Sequence, residues 1–235
     1  MSGMNFDQDL DGLVYNGQEI LKNDRHLRYL DHFELGPDEF RNQLEWIDYW
    51  KAKGMMLAAA PEIYQLIECL SLIKGKYETA KSEEIESGLF NMIYGEGLVT
   101  ATSTEYGLNN GQMTLIWRNR RDWKPIEQFE GKVFKARELP DDEEMPLDKA
   151  ARIPEWETYL KDIFYTANSV SEIAENIEKV LGSSPEETSV HCGRADTMPS
   201  AKRVVAFVEN KLSEELRIGN LGLNDFRGYS IGVRK

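Results

Sequence analysis

The chain has 235 residues, and its composition, 41% apolar and 29% charged, is that of an ordinary globular protein. Its 41 acidic and 28 basic side chains give a net charge of −13, which argues against wrapping nucleic acid through Lys and Arg contacts to phosphates. Two cysteines are too few for a disulfide framework. The longest purely apolar run covers only residues 55–60, whereas a membrane-spanning helix needs about 20 apolar residues. The acidic N-terminus lacks the apolar core of a signal peptide, so we expect a cytoplasmic protein with no membrane association.

Three helices are predicted in the N-terminal part. The first, 37–54, has Pro37 at its first helical position and Gly54 at its exit, as the preferences of these residue types favour. The second, 61–74, and the third, 82–94, carry apolar residues at the spacing that places them on one helix face.

The sequence period then changes to that of strands. Residues 97–105 and 112–117 are rich in Val, Thr, Ile and Leu, and Asn110-Gly111 between them is a strong hairpin signal, because both residue types tolerate positive φ. A further strand is predicted at 132–137.

The C-terminal part is predicted to be rich in helices. It follows residues 138–150, an acidic stretch with prolines that we interpret as a linker or exposed loop. The later elements are a helix at 154–166, a helix from a Ser169–Glu172 capping box to Gly182, a strand at 188–192, a helix at 200–216 and a last strand at 226–233.

These elements predict an α+β fold. A helical N-terminal part leads into a central antiparallel hairpin or sheet, and the helix-rich C-terminal part adds one or two strands. The boundaries that follow are 1–137, 138–150 and 151–235, with the first and last regions forming either two domains or one.

Residues 56–67 read Met-Leu-Ala-Ala-Ala-Pro-Glu-Ile-Tyr-Gln-Leu-Ile. This segment resembles a short motif in uncharacterised bacteriophage proteins, in which three alanines, a proline and an acid precede a Leu-rich helix. The resemblance covers twelve of the 235 residues. It implies a phage origin and the role of an early, non-virion accessory protein, and it carries over no catalytic residue.

Alternating aspartates near the N-terminus, Asp7, Asp9 and Asp11, precede Gly12 in the pattern that begins a calcium-binding loop. The twelfth position of such a loop requires a bidentate acid, and here it is Gln18. We therefore favour a solvated acidic N-terminus over Ca²⁺ binding and expect no cofactor.

A second candidate site lies at His191-Cys192-Gly193-Arg194, after a predicted strand. The pattern is similar to the tyrosine phosphatase signature, but the arginine that should come six residues after the cysteine is Met198, so that activity is rejected. A Cys–His nucleophile or an anion site at Arg194 stays open. We favour a buried strand cysteine beside an incidental histidine, since free cysteines are usually buried.

A third candidate, residues 117–124, combines four cations and two tryptophans. This composition suits a protein interface or stacking on nucleic-acid bases. It also suits ion pairing with the acidic segments of the same chain. The candidate binding residues are Trp117, Arg118, Arg120, Arg121 and Trp123.

Most of the negative charge is concentrated in one region. Residues 138–189 hold 14 acidic and four basic side chains, a net charge of −10, and such runs usually form solvated faces. An acidic face is suited to a basic partner. Its candidate binding residues are Asp141, Asp142, Glu143 and Glu144.

The leading hypothesis is a non-enzymatic, phage-encoded accessory protein in the host cytoplasm. It would bind and inhibit a host protein with a basic surface, such as a nuclease or an antiviral defence component. The alternative is an enzyme or binding protein that acts on a nucleotide or other phosphorylated small molecule through the His191–Arg194 loop. A third hypothesis is an assembly component that forms a homo-oligomer through its helices at 37–74.

Overall fold

The fold is described by a computed structural model that covers residues 26–76, 78–109, 112–121, 124–125, 133–135, 139–140, 144–192, 202–223 and 226–234. The helices in these ranges are α1 (26–30), α2 (Gln43–Ala52), α3 (Ala60–Ile73), α4 (Ala80–Gly95), α5 (Leu147–Ala150), α6 (Pro154–Phe164) and α7 (Val170–Leu181). None of them combines the length and the apolar character needed to cross a bilayer.

The predicted helices at 61–74, 82–94, 154–166 and 169–182 are confirmed as α3, α4, α6 and α7. The predicted start of the first helix at Pro37 is wrong, because the helix begins at Gln43. Asn42 caps it: the Oδ1 atom of Asn42 accepts hydrogen bonds from the backbone N–H groups of Leu44 and Glu45, each at 3.0 Å. The Asn42 N–H donates to Glu45 Oε2 at 2.9 Å, and this capping box fixes the start of the helix.

The strands are β1 (Phe33–Leu35), β2 (Met56–Leu57), β3 (Leu98–Asn109), β4 (Gln112–Arg121), β5 (Lys124–Pro125), β6 (Val133–Lys135), β7 (Glu144–Pro146), β8 (Thr188–His191), β9 (Lys202–Asn210), β10 (Glu215–Leu223) and β11 (Ile231–Val233). A small antiparallel sheet has the order β1-β11-β2, and a large sheet has the order β5-β4-β3-β9-β10-β8-β7, with β6 also beside β4. Asn109 pairs with Gln112, which confirms the predicted hairpin. The α+β class is also confirmed.

One predicted helix, 200–216, is wrong: this segment is β9, a turn and the start of β10. Residues 204–207 are all buried, since the sheet is covered on both faces here. A strand that is covered on both faces shows no apolar–polar alternation. An apolar run of that kind is consistent with either a helix or a strand until its tertiary neighbours are known.

The large sheet lies between two apolar layers. Leu98, Val205 and Phe207 pack with residues of α3, α4, α6 and α7 on one side. Val99 and Val204 pack on the other side, against α2 and the elbow that precedes α3. Successive strand residues point to opposite faces, so this part of β3 and β9 is buried from both directions.

Residues on both sides of the predicted linker 138–150 contribute to the same apolar core, on the side of the large sheet that packs against α3, α4, α6 and α7. The part of the linker that the structure describes is packed against the protein. Leu139 and Pro140 are buried, Glu144–Pro146 pairs with β8 as β7, and Leu147–Ala150 forms α5.

A wide bulge interrupts β3 where it crosses the core. Val99 pairs with Ala206 and Ser103 pairs with Val204, so residues 100–102 lie opposite the single residue Val205. Bulges of this type turn backbone groups away from the ladder. The Nε2 group of Gln43 donates to the carbonyl oxygens of Thr100 and Thr102, at 2.7 and 3.2 Å, from a buried position on α2.

The alanine elbow of the phage-like motif, residues 58–60, packs against this bulge. The N–H of Ala58 donates to the carbonyl of Ile231 at 2.8 Å, and the Ala58 carbonyl accepts from the Ala101 N–H at 2.8 Å. The N–H of Ala60 donates to the hydroxyl of Thr102 at 2.9 Å. All three alanines are buried, so the elbow joins the two sheets where larger side chains would not fit.

We predict that Gln43→Leu lowers the free energy of unfolding by about 2–4 kcal/mol, because two buried carbonyl groups would lose their hydrogen-bond donors. Urea denaturation followed by far-ultraviolet circular dichroism measures this change. The control is Asp48→Ala, at an exposed position of the same helix, where we expect a change of about 0.5 kcal/mol or less. Equal midpoints for the two variants would contradict the role of Gln43.

Candidate functional site

The His191-Cys192 motif lies at the end of β8, beside α6 and β10. The Cys192 side chain is 1% exposed, and its backbone carbonyl accepts a hydrogen bond from Asn220 Nδ2 at 2.6 Å. The same amide group donates to the Tyr159 hydroxyl at 3.0 Å. Arg194 lies outside the described residues. The Cys192 thiol is therefore directed into the core, where solvent and a dissolved substrate do not reach it.

A polar cluster occupies the sheet face at β7, β8 and β10. The Nε atom of Arg217 lies 2.9 Å from Glu144 Oε1, and the Ser189 hydroxyl donates to the same oxygen at 2.6 Å. His191 is the register partner of both Glu144 and Gly219. The Ser189 hydroxyl proton is thus directed to a carboxylate and not to His191, so these residues do not form the hydrogen-bonded Ser–His pair of a nucleophile and its base.

Sequence analysis identified Glu144 and His191 as candidate residues but missed Ser189 and Arg217, which surround them. The signal that could have identified Arg217 is the alternation of apolar and polar residues after Glu215, which is typical of a strand. The helix predicted through Leu216 concealed this alternation.

The basic–aromatic candidate residues lie near the opposite edge of the large sheet. Trp117, Arg118, Arg120 and Arg121 belong to β4, with Arg118 paired to Ser103, whereas Trp123 lies outside the described residues. Five strand spacings separate β4 from β7 in the sheet order, a distance of about 24 Å at ~4.8 Å per strand. The structure therefore does not bring this segment together with Glu144. Asp141, Asp142 and Glu143 also lie outside the described residues.

The outer surface of α7 is acidic. Glu172, Glu175 and Glu178 follow one another at intervals of three residues and are all exposed. The inner surface of α7 holds Val170, Ile173, Ala174, Ile177, Val180 and Leu181, all of them buried. The loop that follows α7 adds exposed Glu186 and Glu187, so the charge is presented to solvent by a helix whose other side is fixed in the core.

A polar contact holds this helix in place against α3. The Tyr64 hydroxyl accepts hydrogen bonds from Asn168 Nδ2 at 2.9 Å and from Asn176 Nδ2 at 3.2 Å. Asn168 also donates to Glu68 Oε1 at 2.7 Å. Burial raises the pKa of Tyr64 to about 12, because the charged phenolate is disfavoured away from solvent.

The described residues contain no group of three or more His, Cys, Asp or Glu side chains that could hold a metal ion. The three aspartates of the calcium-like pattern, Asp7, Asp9 and Asp11, lie outside the described residues.

We predict that Gly219→Ala strongly destabilises the protein. Gly219 has φ of +131°, and an added Cβ would lie 2.1 Å from the backbone oxygen of His191, so we expect a loss of about 3 kcal/mol or more of unfolding free energy. The matched control is Gly182→Ala, with φ of +73° and no atom within 4 Å of the added Cβ. For this control we expect about 1 kcal/mol from backbone strain alone. Similar losses in urea titrations would contradict the steric explanation.

The Glu172 carboxylate is expected to stabilise the fold in a pH-dependent manner. Hydrogen bonds from the backbone N–H and the hydroxyl of Ser169 lower its pKa below the usual 4.5. Because the folded-state pKa is the lower one, this stabilisation is complete above about pH 4.5 and is lost as pH falls through the folded-state pKa. We predict that the thermal midpoint of Glu172→Gln falls less between pH 6 and pH 3 than that of the wild type. The control is Glu175→Gln, at an exposed position with no role in the cap, whose midpoint should fall as the wild type does.

No protein-family model matches the sequence, and neither the comparison with curated proteins nor that with solved structures gave a match.

Proposed function

We propose that the chain is a phage-encoded accessory protein that binds and inhibits a host protein with a basic surface, such as a nuclease or an antiviral defence component. The acidic outer face of α7 and the following loop, residues 172–187, carries this proposal. Proteins that bind nucleic acid hold its phosphates with Lys and Arg. An acidic surface competes for the same cations and prevents access to them.

The arrangement of the described residues favours a charged binding surface over a catalytic site. The acidic side chains of α7 are exposed, while its other side is fixed by apolar burial and by the Tyr64–Asn168–Asn176 contact. A rigid scaffold reduces the conformational entropy that is lost on binding. Two side chains of the His191–Cys192 region with nucleophilic atoms are already engaged: the Cys192 thiol is buried, and the Ser189 hydroxyl donates to Glu144.

Charge removal from the acidic face tests this function. The triple variant Glu175→Gln/Glu178→Gln/Glu186→Gln keeps the Glu172 cap and lowers the net negative charge by three. We predict that its affinity for the partner falls by about tenfold or more at low salt, mainly through slower association. The partner is isolated with the tagged full chain from a lysate of the bacterial host, purified, and titrated against the wild type and the variant by biolayer interferometry.

The matched control removes three exposed charges elsewhere, through Asp48→Asn/Glu83→Gln/Glu84→Gln on α2 and α4. It has the same net charge, so it should retain affinity within about twofold if the position of the charges matters. Equal losses for both variants would indicate only a bulk charge effect. Failure to recover a basic partner would contradict the proposed function.

A further inference from the structure

The described residues expose five large apolar side chains, and three of these lie around the C-terminal end of α4. They are Phe40, Phe90 and Leu212, with 45, 43 and 98% of their surfaces exposed. Isolated apolar residues are common on protein surfaces, but a group of them around the end of one helix marks a candidate contact site.

Aromatic contacts connect Phe40 and Phe90 to the end of α4. The Phe90 ring stacks on Tyr94, the next turn of the helix, with centroids 4.4 Å apart. The Phe40 ring packs edge-on against Tyr229 with centroids 4.8 Å apart. The Tyr229 ring in turn lies against Gly95, where an added Cβ would be 3.2 Å away.

The β9–β10 hairpin brings Leu212 to the same place. Lys211 Nζ lies 3.1 Å from Glu96 Oε1, just after the last residue of α4. Within the turn, Asn210 Oδ1 accepts from the Leu212 N–H at 3.2 Å, and the Asn210 carbonyl accepts from the Glu214 N–H at 2.7 Å. These bonds restrain the backbone of the turn at Leu212, so less backbone freedom remains to be lost on binding.

Carboxylates surround these apolar groups. The segments 94–97, 182–187 and 209–215 together hold six acidic side chains and one basic one, Lys211, and the segments 38–41 and 227–229 add two acidic side chains and two basic ones, Arg41 and Arg227. Hydrogen bonds hold the first three segments beside one another: the Tyr94 hydroxyl donates to the Leu181 carbonyl at 3.3 Å, and the Leu216 N–H donates to the Glu187 carbonyl at 2.9 Å. A second copy of this chain, a nucleic acid or an anionic membrane would bring like charge to this surface, whereas a basic protein would bring the opposite charge.

We propose that the α4-end surface, formed by Phe40, Phe90, Tyr94, Leu212 and Tyr229, is the contact site for a basic partner protein. Leu212 enters an apolar pocket of that partner, and Lys and Arg side chains at the pocket rim meet the surrounding carboxylates. The inference rests on the proposed protein-binding function and specifies the apolar anchor that the acidic charge alone does not supply. A few apolar residues of this kind usually carry most of the affinity of an interface.

The test compares full-length tagged variants in capture from the bacterial host lysate, followed by calorimetry with the purified partner. Leu212→Ser and Phe40→Ala remove the two anchors, and Leu212→Met preserves the apolar character of position 212. We expect Leu212→Ser to weaken binding by about tenfold or more, since burial of a leucine side chain is lost. Leu212→Met should bind within about threefold of the wild type.

Leu72→Ser, an equivalent change at an exposed position of α3, is the matched control and should bind like the wild type. Unchanged circular dichroism of Leu212→Ser establishes that the turn variant folds. A partner whose binding depends on the acidic-face triple variant but not on Leu212 or Phe40 overturns this inference and leaves the proposed function standing. Capture of no basic protein overturns both. A Leu212-dependent species that sedimentation shows to be a second copy of this chain overturns the basic-partner assignment.

Discussion

The carbonyl groups of Thr100 and Thr102 leave the ladder of β3 at its bulge, and the amide of Gln43 supplies hydrogen bonds to both. A buried carbonyl without a donor costs about 1–3 kcal/mol, so the bulge depends on α2 lying where it does. Gln43 is the first residue of that helix. The Asn42–Glu45 capping box, which fixes the helix start, therefore also determines whether the amide reaches the strand.

The same bulge connects the rest of the fold. Ala58 links the bulge to β11, and Ala60 begins α3, the helix against which α6 and α7 pack. The alanines of the phage-like motif thus have a structural explanation: they allow the chain to pass between two sheets before α3 begins. Because α3 is fixed at this end, its Tyr64 is positioned to hold Asn168 and Asn176, and α7 directs its acidic residues to solvent.

Charge has two different roles in this protein. Glu144 is used internally, since Arg217 and Ser189 both bind its carboxylate. The glutamates of α7 and of the 182–187 loop are exposed, and their repulsion disfavours contact with nucleic acid or with another copy. The basic partner of the proposed function would relieve that repulsion. The proposed function depends on this second group, and the proposed α4-end surface adds apolar side chains to it.

Local sequence alone determined the elements whose signals lie within a few neighbouring residues. Ser169, Glu172 and Gly182 specify both ends of α7, and the Asn110-Gly111 signal predicted the antiparallel pairing of β3 with β4, because caps and turns depend on nearby backbone groups. The α+β class follows from such signals. Tertiary structure decided the remainder. Residues 204–207 form a strand because apolar layers cover both sides, and Glu144 is an internal ion-pair partner because Arg217, distant in sequence, lies two strands away in the sheet. The α4-end surface is likewise assembled from four separate segments, and no periodicity within any one of them reveals that they meet, because the contacts that join them are made only when the chain has folded.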